Sequence, residues 1–396
     1  MRHDKGIGPD GLPRGGAGGD GGPSGHKEGW GRPDHHLFRK GPGEGLREVK
    51  AELKLLAWET TRRCNLLCKH CRASSGPEAE EGELTTEEAL AFIEELSGWA
   101  RPILILSGGE PLLREDIALL ARRGTERGLK VVLATNGTLL DREKARELKE
   151  AGVRRVSISL DFPNPEEQDA FRGVEGAFEK ALEGMRILQE VGIQVQVNTT
   201  LTSHNFRKLP ELLKLAEALG AHAHHIFLLV PIGRGKELED SQLSPTEYEE
   251  TLLWLFHYAQ KSPLEIKPTC APQYYRIMAQ QRAKFKKTPE GLHAFTRGCL
   301  GGVGFCFVSS QGEVRPCGYL EVSCGNIRQR PLREIWTGSE VFLRLRNPDL
   351  YGGKCGRCGF RYVCGGCRAR AHWATGDFMA EEPYCIWEPE DGSNTL

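Results

Sequence analysis

The amino-acid sequence predicts an α/β fold, a partial (β/α)6 TIM-like barrel followed by a small cysteine-rich C-terminal domain. Three observations lead there. Six short apolar runs alternate with helical patterns between Lys50 and Pro231, polar motifs recur just after successive runs, and glycine and cysteine dominate from Cys299 onward. Strands alternating with helices build parallel sheets with right-handed crossovers. Polar motifs at the C-terminal ends of strands favour a barrel over an open doubly wound sheet, because barrel enzymes place their chemistry there.

Residues 1–49 read as a disordered leader, since their glycine, proline, histidine and charge bury too little apolar surface to offset chain entropy. The barrel is expected over residues 50–232. Its strands are read at Leu53 to Glu59, Ile103 to Leu106, Val131 to Ala134, Arg155 to Leu160, Gln194 to Thr200 and His224 to Val230. Helices are read between them at Thr86 to Trp99, Ile117 to Arg127, Arg142 to Ala151, Phe178 to Glu190 and Leu209 to Leu219. Residues 233–297 read as a helical bridge in which Pro245 opens a helix, and 298–396 as a domain held by metal sites rather than by a core.

The chain has 396 residues, with 53 lysines and arginines against 54 acidic residues. That balance offers no footprint for nucleic acid or an anionic membrane. No apolar run is long enough to span a bilayer, and the N-terminus lacks a secretory pattern, so the expected location is cytoplasmic. In that compartment thiols stay reduced, and thirteen clustered cysteines point to metal rather than disulfides.

Cys64, Cys68 and Cys71 form a C-x3-C-x2-C run directly after the first strand. Three thiolates on one loop can hold three irons of a cubane cluster and leave the fourth open to a ligand. Zinc would want a fourth protein ligand. The spacing matches at every position the cluster motif of the radical S-adenosylmethionine (SAM) superfamily, which this chain resembles.

The resemblance implies a SAM-binding [4Fe-4S] cluster and SAM itself as cofactors. It implies that Ser107-Gly108-Gly109-Glu110-Pro111 takes the SAM amino group, the two glycines letting backbone approach the ligand and Glu110 pairing with the ammonium. Ser159 and Arg172 would hold the SAM carboxylate. His70 would lie beside the adenine, and Thr135, in Thr135-Asn136-Gly137, would face the same pocket.

The run Cys355-x2-Cys358-x5-Cys364-x2-Cys367 resembles the SPASM extension of that superfamily. By that resemblance Cys355, Cys358, Cys364 and Cys385 hold one auxiliary [4Fe-4S] cluster, and Cys299, Cys306, Cys317 and Cys367 a second. Two zinc ribbons would use the same C-x2-C pairs. Cys324 is read as a buried thiol and Cys270 as a second thiol outside the scheme. Pro268-Thr269-Cys270-Ala271-Pro272-Gln273, with Val230-Pro231-Ile232-Gly233-Arg234-Gly235, is similar to the haem-modifying branch.

Within that branch, Cys306-Phe307-Val308-Ser309-Ser310 and Pro316-Cys317-Gly318-Tyr319-Leu320 look most like the decarboxylases that make haem b from iron-coproporphyrin III. Siroheme and haem d1 relatives and peptide-modifying SPASM maturases are the alternatives. The resemblance implies cleavage of SAM to a 5'-deoxyadenosyl radical, a tetrapyrrole substrate, and a reducing donor such as ferredoxin or flavodoxin. A simple electron carrier would need neither the Gly-Gly-Glu-Pro motif nor an open iron. Arg234, Arg276, Arg368 and Arg370 are candidate partners for substrate carboxylates, and His225 is read as a ligand of the porphyrin iron, a pocket residue or a satisfied core histidine.

Overall fold

A computed structural model describes residues 51–285 and 297–389, so the leader read at 1–49 lies outside the described residues. Seven strands stand side by side in chain order. They are β1 (Leu55–Glu59), β2 (Ile103–Ser107), β3 (Lys130–Thr135), β4 (Arg155–Ser159), β5 (Gln194–Leu201), β6 (Ala223–Leu228) and β7 (Glu265–Thr269). All are parallel. Helices cross between them: α1 (Thr86–Trp99), α2 (Ile117–Glu126), α3 (Arg142–Glu150), α4 (Pro165–Arg172), α5 (Ala177–Glu190), α6 (Leu209–Ala218) and α7 (Pro245–Ala259), with α8 (Gln273–Phe285) after β7.

The sheet does not stop at β1. The strand β8 (Phe305–Val308), from the cysteine-rich region, pairs parallel to β1 with Phe305 opposite Leu55. The short β9 (Glu313–Arg315) and β10 (Gly325–Asn326) then extend that edge antiparallel. The expected (β/α)6 barrel is present, widened by β7 and β8 to eight parallel strands. The segment read as a helical bridge therefore also carries a strand. Beyond the sheet lie α9 (Leu332–Gly338), α10 (Glu340–Leu345), α11 (Gly353–Arg357) and α12 (Arg368–Thr375).

Strand parity divides the barrel wall from the helical layer. In β2, Leu104 and Leu106 are fully buried against helices, whereas Ile103, Ile105 and Ser107 line a central cavity. On the outer layer Trp58, Leu96, Leu120, Leu188 and Leu213 belong to one continuous core. The inner wall is uneven. Leu55, Ala57, Ile103, Ile105, Phe305 and Phe307 make one side apolar, while Ser157, Gln196, Asn198, Thr200, His225 and Lys267 make the β4 to β7 side polar.

Local chemistry sets the helix ends. Thr85 caps α1 in a capping box with Glu88, and Ser244 does the same for α7 with Glu247, Pro245 standing in the first turn as read from the sequence. Asn164 caps α4, with Pro165 opening it, and α4 delivers Arg172 from its last turn. Among the described residues no helix is long and apolar enough to cross a membrane.

Candidate functional site

The loop after β1 folds back on itself so that Cys64 and Cys68 are buried and Cys71 is partly exposed, all three on the cavity wall. The Leu66 amide donates to the Cys64 sulfur and the Ser75 amide to the Cys71 sulfur, both at 3.4 Å. Asn136 Nδ2 approaches Cys64 Sγ at 3.9 Å, and Arg172 Nη1 approaches Cys68 Sγ at 3.6 Å. Burial pushes the Cys64 thiol up to about 12. Three sulfurs on one wall, each met by an N–H donor, suit thiolate ligands of an iron-sulfur cluster.

The glycines of Gly108-Gly109 also make room for the cysteine loop. A Cβ on Gly108 would stand 2.5 Å from the Thr61 carbonyl oxygen, and one on Gly109 would stand 2.5 Å from that of Arg62. The cysteine loop itself occupies the space. The Gly109 amide donates to Thr61 O at 2.7 Å and the Glu110 amide to Arg63 O at 2.8 Å, so the turn after β2 serves as a bed for the loop. Both glycines also line the cavity.

Glu110 is fully buried beneath this turn. Its Oε1 accepts from Thr135 Oγ1 at 2.7 Å and from the Leu112 amide at 3.0 Å, and its Oε2 from the Asn136 amide at 2.8 Å. Burial nonetheless raises the carboxyl to about 7. Thr135 thus holds Glu110, and Asn136 reaches on to Asn65 Oδ1 at 2.9 Å, tying β3 to the cysteine loop. Composition alone showed no sign of that Asn65 to Asn136 bond.

Ser159 ends β4 on the cavity wall. Arg172 is ion-paired with the fully buried Asp161, whose Oδ1 also accepts the Thr200 amide at 2.7 Å. The Arg172 Nε has no hydrogen-bond partner among the described residues, and neither has His70 Nδ1. His70 stacks on Phe171 at 4.6 Å, and burial lowers its pKa to about 4. Two buried donors or acceptors without partners, beside three thiols, fit a polar cofactor lying across the loop.

The C-terminal cysteines fall into two sets. Cys355, Cys358, Cys364 and Cys385 ring one small pocket with Arg276 and Trp387. Amides of Glu382, Phe360 and Gly366 donate to Cys355, Cys358 and Cys364 at 3.3 to 3.4 Å, and Arg368 Nη2 reaches Cys355 at 3.5 Å. That donor set fits a cluster ligated by four thiolates. Among the described residues no three His, Cys, Asp or Glu side chains converge on a single-ion site.

Cys299, Cys317 and Cys367 line the main cavity, but Cys306 does not join them. It sits fully buried on the outer face of β8, in the core with Cys324 and Trp336. Strand parity explains this: Phe305 and Phe307 face the cavity, so Cys306 faces away. Cys324 is buried, as read from the sequence.

The candidate substrate arginines have structural duties. Arg234 donates to Cys68 O and Ser75 O, Arg276 pairs with Glu249, and Arg370 pairs with Glu382. Arg368 donates to Ala380 O and stacks on Tyr351 at 4.5 Å, although it also touches the cavity. Other cations line the cavity: Arg72, paired with Glu59 at 3.1 Å, and Lys267, beside His225 across the β6 to β7 register. His224 is the core histidine, bonded to Thr199 Oγ1 at 2.7 Å, whereas His225 is on the cavity wall.

The cavity has a volume of about 720 Å³ and is bounded by the Cys64 loop on one side and by Cys299, Cys317 and Cys367 on another. Residues 58–216 match the Radical SAM superfamily, and residues 299–359 match SPASM, the iron-sulfur cluster-binding domain. The chain is 52% identical over 340 residues to an AdoMet-dependent heme synthase of Methanosarcina barkeri, covering 85% of this chain and 97% of that protein. It is 34% identical to an Fe-coproporphyrin III synthase of the same organism, covering 89% and 92%. In fold it is similar to the crystal structure of Streptococcus suis SuiB bound to S-adenosylmethionine, with a TM-score of 0.69 at 14% identity, covering 85% of this chain and 78% of that one.

Proposed function

The chain belongs to the haem-biosynthesis branch of the radical SAM/SPASM family, and from that premise we propose that it converts iron-coproporphyrin III to haem b. Two propionates are oxidatively decarboxylated to vinyl groups, each losing a hydrogen atom, carbon dioxide and one electron. One observation carries this reading. The Cys64 loop and a second cysteine set open onto one cavity, large enough for a substantial ligand and apolar along the β1 to β3 and β8 wall.

When bound, the cluster at Cys64, Cys68 and Cys71 with SAM supplies hydrogen-atom abstraction at carbon. The remaining roles fall to the chain. Arg172 and Ser159 orient the SAM carboxylate, Arg172 being aimed by Asp161. Glu110, braced by Thr135, sits under the amino group, Gly108 and Gly109 bed the loop, and His70 flanks the adenine. Phe305 and Phe307 exclude water, and Arg72 and Lys267 offer cations to propionates. Reduced ferredoxin or flavodoxin provides electrons, and the cytoplasm keeps the thiols reduced.

Anaerobic incubation with SAM, dithionite and iron-coproporphyrin III tests this, with mass spectrometry of the tetrapyrrole. Loss of two carboxyl groups is expected. Formation of 5'-deoxyadenosine beside an unchanged tetrapyrrole would sink the substrate assignment, and absence of 5'-deoxyadenosine would sink the enzyme reading.

A further inference from the structure

Four cysteines line the main cavity away from the Cys64 loop: Cys270, Cys299, Cys317 and Cys367. Three were expected there from the sequence, and the fourth was not. We propose that Cys270, in place of Cys306, completes the ligand set of the second auxiliary cluster. This rests on the reading that the C-terminal region holds two such clusters.

Cys270 immediately follows β7, Cys317 follows β9, Cys299 precedes β8, and Cys367 precedes α12. The strands β7 and β8 are the two ends of the parallel run, and no strand pairing joins them. The four thiols therefore gather at the seam of the open barrel. Cys367, Cys270 and Cys317 pack in one small cluster with Leu320 and Val230. Cys306 is not among them: it is fully buried in the core behind β8 with Cys324 and Trp336.

The backbone at Cys270 is unusual. Its φ is +56°, one of two positive values at non-glycine residues among those described. A cysteine gains nothing local from the left-handed region, and such strain persists only where surroundings over-determine it. Here they do. The Cys270 carbonyl accepts from Tyr248 Oη and from Arg370 Nη2, both at 3.1 Å. Arg370 pairs at 3.2 Å with Glu382, whose Oε2 accepts the Cys367 amide at 2.6 Å. A buried ion pair thus fixes Cys270 and Cys367 relative to each other. The geometry is rigid at a residue whose only distinctive atom is its sulfur.

The two sets touch, since the Cys299 amide donates to Cys364 O at 3.0 Å. Four thiolates leave no iron open, so this cluster would carry electrons rather than bind substrate. Its place on the cavity wall, next to the Cys355 set, suits the electron that must leave each propionate.

The test uses the anaerobically reconstituted full chain, with iron, acid-labile sulfide and the EPR spectrum of the dithionite-reduced protein as readouts. Cys270→Gly is the informative variant, because glycine accepts the left-handed backbone and removes only the thiol. It should lose one cluster's iron and sulfide, match the spectrum of Cys317→Ala, and keep the signal that responds to SAM. Cys306→Ala should keep the wild-type content. The proposal is overturned if Cys270→Gly retains wild-type iron and spectrum while Cys317→Ala loses a cluster, an outcome that leaves the second auxiliary site standing. A wild-type protein holding no iron beyond the Cys64 and Cys355 sets would overturn both.

Discussion

Arg172 is locked to Asp161 in a buried ion pair, and the same guanidinium faces the sulfur of Cys68. Asp161 is fully buried, and only 7% of the Arg172 side chain is exposed, so each charge depends on the other. Removing one partner of such a pair costs about 3 to 5 kcal/mol, because the remaining charge is stranded. Asp161→Ala should therefore lower the melting temperature and weaken SAM binding together, as read by thermal unfolding and calorimetric titration. A variant that keeps wild-type SAM affinity would show that Asp161 does not aim Arg172.

Gly109→Ala is expected to damage the cysteine loop rather than the ligand pocket alone. Its Cβ would stand 2.5 Å from Arg62 O, a backbone atom that cannot rotate away. Overpacking of this kind costs about 1 to 3 kcal/mol. The measurable outcome is reduced iron at the SAM-responsive cluster, accompanied by a lower melting temperature.

The cysteine sets should separate by phenotype. Cys64→Ala should abolish 5'-deoxyadenosine formation. Cys358→Ala, in the pocket with Cys355, Cys364 and Cys385, should retain some SAM cleavage but uncouple it from tetrapyrrole decarboxylation. Equal loss of both activities in the two variants would contradict the division.

His224 gives a pH dependence of known sign. Burial lowers its pKa to about 3, against 6.5 in an unstructured chain. Between those values the unfolded chain binds the proton and the folded one does not, so stability falls as pH drops from 6.5 towards 3. His224→Gln should flatten that slope in melting temperatures taken from pH 7.5 to 5.5.

Much of the barrel was legible because its outward residues are plainly apolar. Leu104 with Leu106, and Val195 with Val197, mark strands whatever faces the cavity. β7 was hidden because Glu265, Lys267 and Thr269 alternate with only Ile266 and Pro268, a pattern too short and polar to declare itself. β8 was hidden because its partner β1 lies at the other end of the described chain. The same strand bears on the cysteine assignment. The resemblance to SPASM grouped Cys306 with Cys299, whereas the alternation of Phe305, Cys306 and Phe307 turns its sulfur to the other face. That parity was readable once β8 was recognised. The strained backbone at Cys270 had no counterpart in the sequence, since it arises from Tyr248 and Arg370, which converge only in the fold.

The pairing of β8 with β1 imposes an order on assembly. During synthesis β1 emerges ahead of every other strand described, yet one of its edges stays open until Val308 has been made. Contacts so distant in sequence form slowly, and an unpaired strand edge is a place where nascent chains associate wrongly. The half-made barrel therefore waits on its last parallel strand, and the segment that ends the wait is the one that brings in the C-terminal cysteines.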